Sequence, residues 1–436
     1  MLSHKASEQM LAHLNRRRKE SFVTRSLILR REYFGYLLYD INSYKTYVTY
    51  NQSRFEELKA SDFKSLENNE MLFMDVPLAM SLIRYIDNRK NNMLSAPTTV
   101  FWEITDMCNL RCKHCFNYNS RINRDELTHE EAIDLIDQLS DLGVFQLKIT
   151  GGEPFMRRDL VELLQYLDEK SVNYIIYTNG TQMSQELYRH LERLKCLMKV
   201  RVSLDGYKEG NDGIRGAGTY DRAIRAVNDL SQRGIPCEIN FTITPSNYTQ
   251  LAFVAEHLNQ ERIATEINLG FAKYSGNAVR NQEICFFTKD SQIENVIHSI
   301  KESLSKYYYI IPFYELSPLY YEFFGSSFGC PAARLTETIK SDGSVFACGL
   351  FADYDNLKCG SIRKDKLQNI WASAEMEKYR NLQAPAKCQE CRHYLKKCTG
   401  ACRGNALNQF HNLCAEDSNC IFYTVDWNNS TQDFYG

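Results

Sequence analysis

Between residues 98 and 271 the chain alternates two hydrophobic rhythms. Short runs rich in β-branched and aromatic residues occupy 98–105 (TTVFWEIT), 145–150 (FQLKIT), 173–178 (NYIIYT), 199–204 (KVRVSL), 236–244 (PCEINFTIT) and 265–271 (TEINLGF). Each stops at polar or glycine residues, which predicts six strands. Helical patterns lie between them. Over 127–142, Thr128 and Glu131 form a capping-box pair, Ala132, Ile133, Leu135, Ile136, Leu139 and Leu142 follow at helical spacing, and Gly143 supplies the stop. Strands alternating with helices predict a parallel sheet, either open and doubly wound or curved into a partial barrel. Chemistry in such a sheet gathers at the C-terminal ends of the strands.

The flanks have other rhythms. Residues 22–50 read as short strands with a hairpin around Asn42, Ser43 and Tyr44. Helical patterns follow at 53–59 and at 77–87, where Leu78, Met80, Leu82, Ile83 and Ile86 are apolar. The polar stretch 88–97 (NRKNNMLSAP) predicts a boundary before the alternating region.

Composition narrows the class. A chain of 436 residues with 44% hydrophobic residues is not disordered and is long enough for several cores. Its 52 Lys and Arg against 54 Asp and Glu give a net charge of -2, which offers no general attraction to nucleic acid or an anionic membrane. No apolar run reaches membrane-spanning length, and the first twenty residues lack the apolar centre of a secretory signal. A cytosolic protein is expected. Fifteen cysteines then need a reason other than disulfides, and metal binding or redox chemistry supplies one.

Their positions are uneven. None occurs before Cys108, which is followed by Cys112 and Cys115; Cys196, Cys237 and Cys285 are scattered; the other nine lie between Cys330 and Cys420. The scattered three read as small buried hydrophobes. Cys108, Cys112 and Cys115 fall directly after the first strand, so three thiolates on one loop can face a single metal centre. Zinc is one reading, but its closed fourth position has only His114, inside the same loop, to fill it. Three cysteines on an iron cluster leave one iron open. Two further motifs end strands at the same edge. In 150–154 (TGGEP), Gly151 and Gly152 permit close backbone approach and Glu153, before Pro154, offers an acceptor for an ammonium group. Ser203, Asp205 and Gly206 end the fourth strand, with Arg215 downstream as a carboxylate clamp. Ammonium and carboxylate partners together describe an amino-acid moiety.

These motifs resemble those of radical S-adenosylmethionine (radical SAM) enzymes, whose three-cysteine signature Cys108, Cys112 and Cys115 match residue for residue. The resemblance implies a partial (β/α)6 barrel and a [4Fe-4S] cluster whose open iron binds S-adenosylmethionine, cleaved on reduction to a 5'-deoxyadenosyl radical that abstracts hydrogen. It places Gly151, Gly152, Glu153 and Pro154 at the methionine ammonium, and Ser203 and Arg215 at ribose and carboxylate. Asp205 either joins them or caps the turn that follows. His114 stands at a usually aromatic position near the adenine, or is a solvated loop histidine.

The cysteine-rich end resembles the SPASM extension of that family, which holds two auxiliary [4Fe-4S] clusters. Cys388, Cys391, Cys398 and Cys420 would hold the distal one, and Cys330, Cys348 and Cys402 the proximal one. Residues 360–363 and 367–371 (LQNIW) resemble the stretch between its halves. Six residues separate Cys391 from Cys398 where five is more usual, and a zinc ribbon is the alternative for residues 388–402. The proximal set lacks an obvious fourth ligand, since Thr336 stands where several relatives have cysteine. Either Cys359 or Cys414 completes it, or one iron faces substrate.

Four parts are expected: a winged-helix-like peptide-recognition domain (1–95), the barrel (96–290), a bridge (291–329) and the SPASM domain (330–436). SPASM members mostly modify peptides or proteins. Sulfatase-maturing relatives carry an aspartate after the second SPASM cysteine, where this chain has Gly349, which counts against that class. Strands followed by helices in the first ninety residues resemble the element that adds a leader peptide as an extra strand, although an inert capping domain has the same pattern. Residues 1–95 carry 15 Lys and Arg against 11 Asp and Glu, which favours an acidic leader. The reading is a maturase that installs a thioether or carbon–carbon crosslink in a precursor peptide, with flavodoxin or ferredoxin as electron donor. Alternatives are oxidation of a protein side chain or quinone-cofactor precursor, and a non-catalytic iron–sulfur redox sensor.

Overall fold

A computed structural model of the chain describes residues 27–32, 35–40, 45–49, 72–74, 93–117, 125–287, 290–307, 310, 330–391, 394, 400 and 402–417. The helical patterns expected at 53–59 and 77–87, and Cys398 and Cys420, lie outside the described residues.

Six strands run parallel in chain order, β5 (Thr99–Thr105), β6 (Gln146–Gly151), β7 (Tyr174–Thr178), β8 (Leu197–Ser203), β9 (Cys237–Ile243) and β10 (Glu266–Phe271). They coincide with the six strands expected from the hydrophobic runs. Helices α1 (His129–Asp141), α2 (Leu160–Glu169), α3 (Gln185–Leu191), α4 (Lys208–Arg215), α5 (Thr219–Gln232) and α6 (Leu251–Gln260) lie between them along the chain, and α7 (Asp290–Tyr307) follows β10. The expected capping box is formed: Thr128 accepts from the Glu131 backbone N–H while Glu131 accepts from that of Thr128. Alternation along each strand separates two faces. Val100, Trp102 and Ile104 of β5 and Leu147 and Ile149 of β6 join Ala132, Leu135, Ile136 and Leu139 of α1 in one apolar core. Each buried Val, Leu or Ile side chain among them contributes roughly 1.5–3 kcal/mol. The opposite face is polar and carries Glu103, Tyr177, Lys199, Arg201 and Glu238.

The sheet does not end at β5. On the far side of that strand lies β11 (Thr336–Ile339), parallel and in register through Thr336↔Thr99, Glu337↔Val100, Thr338↔Phe101 and Ile339↔Trp102. Antiparallel β12 (Ser344–Phe346) and β13 (Gly360–Ser361) complete a nine-stranded sheet in the order β10-β9-β8-β7-β6-β5-β11-β12-β13. The cysteine-rich part is therefore hydrogen-bonded into the barrel sheet. Its helices α8 (Leu367–Trp371) and α9 (Ala374–Arg380) are seated by Arg380, whose guanidinium lies over the Trp371 ring at 4.8 Å and whose Nε donates to the Ala333 carbonyl at 2.7 Å.

The front of the chain forms a separate antiparallel sheet, β1 (Leu27–Glu32), β2 (Gly35–Asp40), β3 (Lys45–Thr49) and β4 (Leu72–Met74), in that order. The expected hairpin is the β2–β3 pair, closed at Asp40↔Lys45. This sheet is fastened to the barrel by buried polar groups. Arg30 donates to Glu32 and to the Pro97 carbonyl, each at 2.8 Å, and Glu32 accepts from the Ser95 backbone N–H at 2.7 Å. Tyr39 stacks on Phe145, centroids 5.2 Å apart.

Candidate functional site

The loop after β5 carries Cys108, Cys112 and Cys115, and neighbouring strand ends hold it in place. At the β6 end, Gly152 and Glu153 donate from their backbone N–H groups to the carbonyls of Thr105 and Met107, at 2.8 and 2.7 Å. A Cβ on Gly152 would overlap the Met107 carbonyl, and one on Gly151 that of Thr105, so both glycines bring β6 against the root of the cysteine loop. From the β7 end, Asn179 donates to Asn109 at 2.9 Å, and Asn109 donates to Thr181 at 2.7 Å. Beyond β10, Asn277 donates its side chain to the Cys112 carbonyl and its backbone N–H to that of Cys115, both at 2.8 Å, and Asn281 reaches the Lys113 carbonyl at 3.3 Å. Gly276, at φ +59°, lies so close to the Cys115 and Phe116 carbonyls that a side chain there would overlap both.

The Cys112 thiol is buried and lies within electrostatic reach of Cys108, Cys115 and Arg215. Burial pushes it up to about 11, Arg215 acts the other way, and Cys115, Asp205 and Cys108 add to the rise. Among the described residues no three ligating side chains close around a single point. The donor set itself fits a metal centre: three free thiols, a cation 3.9 Å from one of them, and a loop fixed from several sides.

Asp205, at the end of β8, is the hub of this edge. It is fully buried, and its Oδ2 is shared by Arg215 Nε and His114 Nε2. Its Oδ1 accepts from the Thr242 backbone N–H at 2.7 Å. Burial alone would raise this carboxyl, but Arg215, His114 and the Thr242 N–H outweigh it and hold the group well below the usual carboxylate range. Burial acts to lower Arg215, and Asp205 and Cys112 together raise it above its ordinary value. Arg215, expected to clamp a ligand carboxylate, thus holds the carboxylate of Asp205. His114 is buried against the same group rather than solvated. Ser203 ends β8 half-buried, opposite Asn240.

Glu153 is buried as a cross-link between strand ends. It accepts from Thr178 Oγ1 and the Asn179 N–H at 2.7 Å each and from the Phe155 N–H at 3.3 Å, and burial pushes it up to about 7. Pro154 opens the short 3-10 turn that follows.

Below this edge the polar face is crowded with paired charge. Lys199 donates to Glu238 at 2.5 Å, Arg201 pairs with the same carboxylate and covers the Tyr177 ring at 4.7 Å, and Glu266 lies 3.8 Å from Lys199. Fully buried Lys340 of the cysteine-rich part pairs with Glu103 of β5, which also accepts from Asn117 at 2.6 Å. Gly349 stands beside this pair: a Cβ there would lie 3.4 Å from Glu103 Oε1.

A second group of thiols lies in the cysteine-rich part. Cys402 and Cys330 both act on half-buried Cys348, whose thiol desolvation pushes up to about 12. Burial pushes Cys402 up to about 11, with Asp417 adding to the rise and Lys273 opposing it. Cys402 begins α10 (Arg403–Phe410), and its N–H donates to Asp417 at 3.2 Å. Cys359 lies elsewhere, beside Glu337, Glu375 and Arg380, and Cys414 is exposed. Cys388 packs with Ala384 and Tyr394, and its carbonyl accepts from the Cys391 N–H at 3.1 Å.

Reading the sequence missed Asn109, Asn179, Asn277 and Asn281. For Asn179 and Asn277 the signal was present: 178–181 (TNGT) and 274–277 (YSGN) are polar, glycine-bearing strand exits like TGGE, at the same edge of the sheet.

Residues 102–258 match the family model of the radical SAM superfamily, and residues 330–393 match that of the SPASM iron–sulfur cluster-binding domain. Mycofactocin maturase MftC of Mycobacterium tuberculosis is 30% identical over 335 residues, 75% of this chain and 84% of the relative. The chain belongs to the radical SAM superfamily. As a radical SAM enzyme it uses S-adenosylmethionine and [4Fe-4S] clusters, the latter also served by its SPASM domain. AdoMet-dependent heme synthase of Methanosarcina barkeri is a further relative, 28% identical over 76% of this chain and 98% of the relative. The fold is shared over most of the chain with SuiB of Streptococcus suis, solved with its precursor peptide SuiA, at a TM-score of 0.70 and 17% identity, covering 92% of this chain and 99% of that one. Among the described residues no helix is long and apolar enough to cross a membrane.

Proposed function

We propose that this radical SAM enzyme is a maturase of a ribosomally made precursor peptide, in which it installs a thioether or carbon–carbon crosslink. The observation that carries the reading is the joining of two thiol groups by one segment. Residues 272–285 hold Cys112 and Cys115 through Asn277 and bond to α10, which Cys402 begins, through the Tyr274 N–H on Asn405. Hydrogen abstraction at one centre and electron removal at another is the arrangement a crosslinking oxidation requires.

In this reading Cys108, Cys112 and Cys115 hold the cluster that binds S-adenosylmethionine, which supplies the hydrogen-abstracting radical when it is bound and reduced. The Gly151–Pro154 segment and Ser203 line its amino-acid and ribose portions. Asp205 fixes His114 and Arg215 around it, so that the guanidinium faces the Cys112 thiolate side. Cys330, Cys348 and Cys402 hold the proximal auxiliary cluster, and Cys388, Cys391, Cys398 and Cys420 the distal one. Neither Cys359, beneath α9, nor exposed Cys414 is assigned to the proximal set, which leaves an iron for a substrate thiolate. The polar face between Glu103 and Glu266 receives the peptide core. The β1–β4 sheet takes the leader as an added strand, and a flavodoxin- or ferredoxin-type protein donates electrons. The likeness to SuiB, solved with its peptide, supports a peptide substrate, as does kinship with a maturase.

The test is anaerobic reconstitution with a short precursor encoded beside the enzyme. The expected result is 5'-deoxyadenosine together with a peptide that has lost two hydrogens. Deoxyadenosine with an unmodified peptide, and turnover of an iron porphyrin instead, would move the enzyme to the class of its heme synthase relatives.

A further inference from the structure

Glu103, on the polar face of β5, stands where the cysteine loop and the cysteine-rich part meet, and it is buried. Its Oε2 takes two donors. One is Asn117 Nδ2 at 2.6 Å, two residues past Cys115, and the other is Nζ of Lys340, the residue that follows β11. Lys340 Nζ also reaches Asn117 Oδ1 at 3.3 Å, so the three side chains lock the carboxylate in one orientation. Oε1 takes no donor among the described residues. It lies instead beside Gly349, directly after Cys348, where a Cβ would sit 3.4 Å from it. Three other buried carboxylates of this face and its edge are engaged through both oxygens: Glu153 by Thr178 and Asn179, Asp205 by Arg215 and Thr242, and Glu238 by Lys199 and Arg201. The ion pair with Lys340 needs only Oε2, and the bare flank of Gly349 leaves Oε1 to a ligand.

We propose that Glu103 is a catalytic residue, the acceptor of the proton released when the crosslink forms. The inference deepens the reading of the protein as a peptide-crosslinking maturase and rests on it. Joining two substrate atoms removes one hydrogen from each. The first leaves as an atom, taken by the deoxyadenosyl radical to give 5'-deoxyadenosine. The substrate radical then bonds to the second atom, whose hydrogen leaves as a proton to Glu103 Oε1 while the remaining electron passes to an oxidised iron–sulfur cluster of the SPASM domain. A proton acceptor must lie within hydrogen-bond reach of the group it deprotonates. Glu103 meets that need for a substrate seated between the two thiol groups, because its bonds run to the exit of the loop that carries Cys115 and its open oxygen lies beside the residue that follows Cys348.

The experiment uses the full-length enzyme reconstituted anaerobically in heavy water with the short precursor encoded beside it. Iron content, thermal unfolding, 5'-deoxyadenosine and peptide mass are measured for wild type and two variants. Glu103→Gln keeps the shape and removes the acceptor, whereas Gly349→Val keeps the pair with Lys340 and covers Oε1. In both, crosslinked peptide per deoxyadenosine should fall by about 100-fold. The peptide should return uncrosslinked with one deuterium, because the stalled radical takes an electron from the reductant and a deuteron from solvent. If Glu103→Gln fails to take up iron, Gly349→Val decides alone. An unchanged ratio in a variant that folds with full iron overturns the role of Glu103. Parallel loss of both products in both variants, with lower iron content or unfolding temperature, assigns Glu103 to folding and overturns it as well. Wild-type enzyme that forms deoxyadenosine and leaves the precursor mass unchanged overturns the crosslinking reading itself, and the inference with it.

Discussion

The two thiol groups contrast in how they are held. The cysteine loop at 108–115 is pinned from the ends of β6, β7 and β8 and from the segment beyond β10, so that its backbone is fixed by many bonds of ordinary strength. The triad of Cys330, Cys348 and Cys402 is drawn from the segment before β11, the exit of β12 and the start of α10, and around Cys402 Asp417 and Lys273 act in opposite senses. The first group lies on one loop of eight residues, and the second is gathered from three segments far apart in the chain.

The largest expected break in this contrast comes from the thiols themselves. Replacing Cys108, Cys112 and Cys115 by alanine should abolish 5'-deoxyadenosine formation while auxiliary iron absorbance remains. The triad variant should do the reverse and retain deoxyadenosine formation with no crosslinked product. Equal loss of both activities in both variants would merge the two centres into one.

A smaller effect separates shape from charge within the first centre. Asp205→Asn leaves Arg215 buried without its carboxylate, and breaking such a buried pair costs about 3–5 kcal/mol. Thermal unfolding should shift down and binding of S-adenosylmethionine should weaken, with no change in the auxiliary potential. A matching change in that potential would show that the two centres share their electrostatics.

The smallest effect lies behind the sheet. Glu337 of β11 is fully buried, neither carboxyl oxygen has a hydrogen-bond partner, and burial pushes the group up to about 8. Its folded value lies above the ordinary 4.5, so the folded protein keeps a proton that the unfolded chain releases. Stability from this group is therefore full below about pH 4.5 and declines as the pH rises toward 8. Glu337→Gln should flatten that decline in denaturation measured from pH 5 to 8. Parallel curves for the two proteins would contradict it.

The barrel was legible because each strand and helix announces itself within about ten residues, through β-branched runs and through the Thr128–Glu131 cap. The three-cysteine loop was legible for the same reason. What sequence reading did not reach are contacts between distant segments: Asp205 with His114, Asn277 with Cys112, Lys340 with Glu103. These pairs are 91, 165 and 237 residues apart, and no local pattern encodes them. Gly151 and Gly152 were legible as glycines that permit close approach. The approach they permit is to the carbonyls of Thr105 and Met107.

The register between β5 and β11 has a consequence for how such an enzyme can change. Four residue pairs and one buried Lys–Glu bond fasten the iron–sulfur module to the first barrel strand, so the separation of the two centres is set by strand pairing and not by the connecting chain. Insertions in that connection leave the spacing untouched, and a single-residue slip in β11 alters it at once. The module behaves as a seventh plank of the barrel wall, joined to it along the β5–β11 seam.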